Sequence, residues 1–327
     1  MASAAASVAL CTYNGARFVE AQIASLLSQT ILPAQIVITD DASSDGTLEI
    51  ARAALAAAGI DCILEANPST LGYTKNFERA ISLCTQPIVF LCDQDDVWLQ
   101  DKIETLLPSL LNEHAALVFS DAVVVDAALR PHGTLFQLRG IGEDELAAVG
   151  AGALRPFFRT RYVTGATAAV KTDFARRCMP FPAAGWSHDE WLALWAAVAG
   201  RLVPVLRQTI LYRQHGHNQF GASWSALQQM QNGWKRWRQS LHRTHTIPLR
   251  EKARALREAL AGGLAQTLAV PSENVKLLSD YADRLEARSD ACRSGRVLRM
   301  WQTTPNPLAF LLDCVEAASL RLRGEPR

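Results

Sequence analysis

One alternation constrains this chain more than any other feature: across its first 125 residues, short apolar runs take turns with stretches of helical spacing. Ser7–Cys11 (SVALC), Gln35–Asp40 (QIVITD), Asp61–Glu65, Pro87–Cys92 (PIVFLC) and Ala116–Ser120 read as strands. Arg17–Gln29, Thr47–Ala58, Tyr73–Leu83 and Val97–Leu111 read as helices, the first with apolar residues at Phe18, Ile23, Leu26 and Leu27. Strands that alternate with helices predict an α/β fold, a mostly parallel twisted sheet flanked by helices on both faces.

The pattern breaks between about 126 and 160, where five glycines and the acidic cluster Glu143–Glu145 predict long loops. Strand signal returns at Tyr162–Val170, helix at Glu190–Ala199, then strand near Leu202–Leu206 and Ile210–Arg213. Beyond Ser223 the composition shifts: residues 224–258 hold eight Lys or Arg against two Glu. The expected organisation is a catalytic domain over 1–223, with a nucleotide-binding half at 1–125 and an acceptor half at 126–223, followed by a helical C-terminal region over 224–327.

Composition excludes several classes. A net charge of +1 gives no bulk electrostatic case for nucleic acid. The seven cysteines include no CxxC pair and are odd in number, which argues against a disulfide framework or a structural zinc site and suits a reducing cytosol. The N-terminal MASAAASVALC lacks a basic leader, and no apolar run of 18 residues occurs, so neither a signal peptide nor a membrane span is expected.

In an open parallel sheet, ligands bind beyond the carboxyl ends of the strands. Three expected strands end in polar motifs: Thr12-Tyr13-Asn14-Gly15, Asp40-Asp41-Ala42-Ser43-Ser44-Asp45-Gly46 and Asp93-Gln94-Asp95-Asp96. Neither of the common glycine-rich phosphate cradles is present. The DQDD run places three carboxylates in four residues directly after a buried strand, and such charges repel unless a cation sits among them. A hard ion such as Mg2+ or Mn2+, bridging to a diphosphate, is the natural partner. The plainer reading has Asp95 or Asp96 capping a helix that begins near Val97. Likewise TDDASSDGT is turn-forming, or Asp41 accepts the imide N–H of uracil or thymine, which cytosine lacks.

Taken in order and spacing, CTYNG, TDDASSDGT, LGYTKNFERA, FLCDQDDVW, HDEW and LYRQHGHN resemble the family 2 inverting glycosyltransferases of GT-A fold, and DQDDVW with HDxW resembles the rhamnosyltransferase branch. The resemblance covers about residues 7–222. It implies a metal-dependent hexosyltransferase that uses Mg2+ or Mn2+ and a dTDP or UDP sugar, with a glycan or lipid-linked glycan as acceptor. Position by position, it implies donor contacts at Thr12, Tyr13 and Asn14, base binding by Asp41, and a cation near the base and diphosphate at Lys75. It makes Asp93 and Asp95 the acids of the metal motif, with His215 facing the metal or diphosphate and Arg213 beside it. Asp189 matches the general base. His188 stands where many members carry Glu, and His188, Glu190 and Trp191 are candidate acceptor contacts. Glu190 is a rival base, pointing roughly 100° away from Asp189 on a helix. Trp191 and Trp195, one turn apart, also fit a core stripe.

The resemblance further implies transfer of L-rhamnose from dTDP-L-rhamnose to a bacterial surface glycan such as lipopolysaccharide or O-antigen. A UDP-hexose or UDP-N-acetylhexosamine transferase is the nearest alternative. A nucleotidyltransferase would carry a Gly-rich basic loop after the first strand, which CTYNGAR lacks, and a scaffold protein would have no need of Asp41, Asp93, Asp95 and Asp189. The expected location is cytoplasmic. Trp224, Trp234 and Trp237 interleaved with Lys235, Arg236, Arg238 and Arg243 suit either peripheral contact with the inner face of an anionic membrane or packing on the catalytic domain.

Overall fold

The computed structural model describes residues 3–111, 114–154, 158, 162–215 and 246–294. They form two compact units, residues 3–181 with 187–215, and residues 182–186 with 246–294.

The first unit is built on a twisted sheet whose strands are β1 (Ser3–Thr12), β2 (Leu32–Asp40), β3 (Asp61–Ala66), β4 (Ile88–Asp93), β5 (Val97–Trp98), β6 (Leu117–Val125), β7 (Pro131–Thr134), β8 (Ala168–Lys171) and β9 (Leu202–Arg213). Their order is β3-β2-β1-β4-β8-β6-β9-β5, with β7 paired to β6. β3, β2, β1 and β4 run parallel, with Val8 opposite Ile36 on one side and Phe90 on the other. β8 runs antiparallel to both β4 and β6, while β9 returns parallel to β6, so the sheet is mixed. The parallel half follows from its runs: Val8, Leu10, Ile36, Ile38, Phe90 and Cys92 are fully buried, as strands covered on both faces require. Helices α1 (Val19–Leu27), α2 (Thr47–Leu55), α3 (Tyr73–Leu83) and α4 (Lys102–Leu111) connect these strands. α1 buries Val19, Ile23 and Leu26, one face at helical spacing.

Three local expectations are corrected. Val97 does not start a helix. Val97 and Trp98 pair with Leu211 and Ile210 as β5, and α4 begins at Lys102, so Asp95 and Asp96 cap nothing. The stretch read as loops holds β7 and two helices, α5 (Leu135–Arg139) and α6 (Glu143–Gly150). Thr134 and Gln137 close a capping box on α5, and Glu143, Asp144 and Glu145 form the first turn of α6, where acids favour the positive helix end. The expected strand over 162–170 is a short Gly165–Thr167 turn leading into β8. Helices α7 (Thr172–Arg177) and α8 (His188–Val198) follow.

The second unit consists of α9 (Thr246–Ala261), α10 (Leu264–Thr267), α11 (Ser272–Ser294) and the segment 182–186. Leu249, Ala253 and Leu285 are buried against Tyr281, and Arg257 bridges Asp283 and Glu286. Gly263, at φ +81°, ends α9 where a side chain would be strained. Trp186 Nε1 donates to Lys252 O at 3.1 Å, and the Lys252 ammonium lies 4.5 Å from the centre of the Trp186 ring. Among the described residues no helix is long and apolar enough to cross a membrane. Trp224, Trp234, Trp237, Lys235, Arg236, Arg238 and Arg243 lie outside the described residues.

Candidate active site

The ends of β1, β2 and β4 meet at one edge of the sheet, since Thr12 is in register with Asp40 and Cys11 with Asp93. Thr12 is buried and donates its hydroxyl to Asp40 Oδ2 at 2.7 Å, so it braces β2 with that hydrogen. Tyr13 is 44% exposed, and its backbone is clamped by the Gln94 side chain, which accepts from Tyr13 N at 2.8 Å and donates to Tyr13 O at 2.9 Å. Gly15 is obligatory for that clamp: a Cβ there would stand 2.1 Å from Gln94 Oε1. Asn14, at φ +47°, ties the next loop, its N–H donating to Ser43 Oγ and its Oδ1 accepting from Ser44 N.

The two aspartates ending β2 divide the labour. Asp40 accepts from Thr12, from Ser43 N at 2.8 Å and from Ser43 Oγ at 2.6 Å. Asp41 is 3% exposed and accepts from Asn67 Nδ2 at 2.8 Å, Leu71 N at 2.7 Å and Gly72 N at 2.9 Å. A carboxylate has about four acceptor sites, so one direction remains for a further donor. Lys75, in the first turn of α3, places its ammonium 2.9 Å from Glu78 Oε2 and 2.7 Å from Phe181 O.

At the end of β4 the acids are packed differently. Asp93 has its carboxyl pushed up to about 7, by burial first and then by the charges of Asp95 and Asp189, against a smaller pull from Lys102. Asp96 is 1% exposed. Its Oδ1 accepts from Arg213 N at 2.9 Å, its Oδ2 has no hydrogen-bond partner, and burial followed by the charges of Asp95 and Asp93 drives its pKa up. Asp95 meets His215 Nε2 at 2.9 Å. The end of β9 supplies that histidine: Arg213 is locked by bonds from Nε to Asp95 O (2.8 Å) and from Nη1 to Ala127 O (2.9 Å), and the His215 ring stacks on Phe18, centroids 4.7 Å apart.

Asp189 sits in the first turn of α8. It accepts from Gly165 N at 2.9 Å, from Glu190 N at 2.9 Å and from the Ser187 hydroxyl. Its charge also helps to raise the Asp93 pKa. Glu190 Oε2 lies 3.3 Å from the Ser187 hydroxyl. Two expected acceptor contacts are corrected. Trp191 is 2% exposed, donates Nε1 to Cys178 O at 3.0 Å and packs edge-on to Trp195, so its ring is core. His188 is 5% exposed and stacks on Phe77 with centroids 3.8 Å apart, so its ring is buried. Neither of its ring nitrogens has a hydrogen-bond partner, and burial pulls its pKa down to about 4, against the opposing charge of Asp189. Its Nε2 would be 2.9 Å from a Cβ at position 165, which explains the glycine.

Sequence reasoning missed Lys102. It is fully buried, with Nζ 2.5 Å from Ala166 O and 3.7 Å from the centre of the Trp98 ring, and burial lowers its pKa to about 7 against the opposing pull of Cys92, Asp96 and Asp93. The available signal was its place on the apolar stripe of α4 with Ile103, Leu106 and Leu110.

Among the described residues no ready-made group of three or more His, Cys, Asp or Glu side chains forms a metal cage. The donor set nevertheless fits a hard divalent ion that shares its shell with phosphate oxygens. Asp95 and His215 already stand together, and Asp93 adds a carboxylate close enough to feel the Asp95 charge.

The mixed α/β sheet is also the fold of solved glycosyltransferases. A mannosyltransferase of Pyrobaculum calidifontis, PcManGT, solved in complex with GDP-Man and Mn2+, superposes with a TM-score of 0.56 at 18% identity, over 99% of this chain and 88% of that one. S. aureus TarS 1-349, in complex with UDP-GlcNAc, gives 0.53 at 14% identity, over 98% and 93%. Residues 7–163 match Glycosyl transferase family 2. In sequence it is 28% identical over 226 residues to the dTDP-rhamnosyl transferase RfbG of Shigella flexneri, covering 65% of this chain and 74% of that protein. It is 24% identical over 232 residues to the uncharacterized glycosyltransferase alr2836 of Nostoc sp., covering 69% of each.

Proposed function

We propose that this glycosyltransferase moves L-rhamnose from dTDP-L-rhamnose onto a hydroxyl of a bacterial surface glycan with inversion at the anomeric carbon. The observation that carries the reaction type is the Asp189 carboxylate in the first turn of α8, held by the Gly165 and Glu190 amides. The similarity to the dTDP-rhamnosyl transferase supports the donor.

In this reading the exposed Tyr13 and the free acceptor direction of Asp41 receive the base, thymine or uracil offering the imide N–H. Asp189, held by the Gly165 and Glu190 amides, takes the proton as the acceptor hydroxyl attacks. Those amide bonds fix the carboxylate's direction, which is the geometric requirement for a general base. Arg213 orients the Asp95 backbone and, with Lys75 and His215, lends positive charge to the diphosphate side. Asp93, Asp95 and His215 would hold Mg2+ or Mn2+, which when bound neutralises charge on the departing diphosphate. A β-L-rhamnosyl donor then yields an α-L-rhamnoside.

The test is a donor panel with and without Mn2+. Slow release of dTDP from dTDP-L-rhamnose without acceptor, faster release with a lipid-linked or O-antigen glycan, and loss in excess chelator are expected. Turnover of a UDP-hexose with no use of dTDP-L-rhamnose sinks the rhamnose assignment, and full activity in chelator sinks the metal.

A further inference from the structure

Burying an ammonium is costly unless its protons and charge are matched, and a buried ion is weak evidence of a gain in stability. A methionine would fill the place of Lys102 with less penalty, so its partners bear on why a cation stands there. Three surround it: Ala166 O, the Trp98 ring, and the negative side formed by Asp93 and Asp96. Ala166 is the middle residue of the Gly165–Thr167 turn. That turn is closed by bonds to Thr164 O, from Thr167 N at 2.9 Å and Thr167 Oγ1 at 2.8 Å, and by Ala168 N–H donating to Gly165 O. One of its peptide groups, Gly165 N–H, holds Asp189 Oδ2 at 2.9 Å. Lys102 and Asp189 therefore grip neighbouring residues of one three-residue turn.

We propose that Lys102 is a positioning residue for sugar transfer: by holding Ala166 O it fixes the Gly165 amide and, through it, the direction of the Asp189 carboxylate. This rests on the reading of Asp189 as the base. A misdirected base slows the chemical step while leaving donor binding in place.

The experiment is a double-mutant cycle on the full chain, reading kcat, donor KM and the thermal shift given by the donor nucleotide with Mn2+. Lys102→Met should lower kcat roughly tenfold or more with donor KM within about threefold. In the Asp189→Asn background it should cost little more, since the group it directs is already gone. Should the Met variant not fold, Lys102→Gln, which keeps a donor near Ala166 O without the charge, takes its place in the same cycle. An equal fractional loss in both backgrounds, an unchanged kcat in the single variant, or a raised KM with kcat preserved overturns the positioning role. Near wild-type turnover by Asp189→Asn overturns the base reading itself, and the proposal with it. A merely structural role for Lys102 would lower the melting temperature and disturb kcat and KM together.

Discussion

The ends of β2 and β4 carry the same residue type to opposite purposes. Asp40 and Asp41 are surrounded by donors: six hydrogen bonds reach the two carboxylates from Thr12, Ser43, Asn67, Leu71 and Gly72. They organise two loops and leave little of their charge unspent. At β4 the carboxylates of Asp93, Asp95 and Asp96 face one another, Asp96 Oδ2 has no partner, and Asp93 is pushed up to about 7 by burial and by neighbouring negative charge. The first group has nearly all its acceptor sites filled within the chain. The second carries negative charge that a divalent cation would offset.

The sharpest way to break that contrast acts where the stressed cluster meets α8. Asp189→Asn keeps the shape and one of the two amide contacts but removes the proton acceptor. Transfer should fall by roughly 10²- to 10⁴-fold, with the nucleotide-induced thermal shift nearly unchanged. Retained turnover moves the role to Glu190, which stands 3.3 Å from the same Ser187 hydroxyl.

Next in size is the difference between removing a satisfied acid and removing a stressed one. Asp41→Ala leaves Leu71 N, Gly72 N and Asn67 Nδ2 without their acceptor. Each such buried donor costs about 1–3 kcal/mol, so a loss of about 3 kcal/mol or more is expected, roughly 6–12 °C in Tm. Asp95→Ala loses one contact to His215 but relieves repulsion on Asp93 and Asp96, so its stability should stay within about 1 kcal/mol. Its Mn2+-dependent response to nucleotide should vanish. Equal melting temperatures for the two variants would remove the distinction.

Much of the parallel half was legible because a strand buried on both faces writes an uninterrupted apolar run, as in PIVFLC, and because its polar ending marks the edge where ligands bind. What was misread depends on partners far away in sequence. Val97-Trp98 is a strand only because Leu211 and Ile210 lie beside it. Trp191 and His188 share the HDEW motif with Asp189, yet α8 turns their rings inward and only burial reveals it. The capping box at Thr134 and Gln137 and the acidic first turn of α6 were local signals, overshadowed by the glycines around them. Lys102 shares the apolar stripe of α4, yet only the closed fold shows that its whole side chain is buried.

The smallest expected effect concerns His188, the buried base next to the stressed acids. Its ring stacks on Phe77, neither nitrogen finds a partner, and burial holds its pKa near 4 instead of 6.5. The fold therefore favours the neutral imidazole. As pH falls below about 6.5 the unfolded chain takes up the proton first, so this residue's share of stability is complete above about 6.5 and drains away down to about 4. At 1.36 kcal/mol per unit the loss is at most about 3 kcal/mol. Asp93 works in the opposite sense. Raised from 3.8 to about 7, it favours the fold most at low pH, and its contribution is lost as pH rises through that window. The two slopes partly cancel in the native chain, and His188→Phe, which keeps a flat ring against Phe77, exposes the difference. Denaturation midpoints measured from pH 7 to pH 4.5 should show the variant gaining on the native chain as pH falls. Parallel curves would mean that His188 takes up its proton at the same pH in the fold as in the unfolded chain.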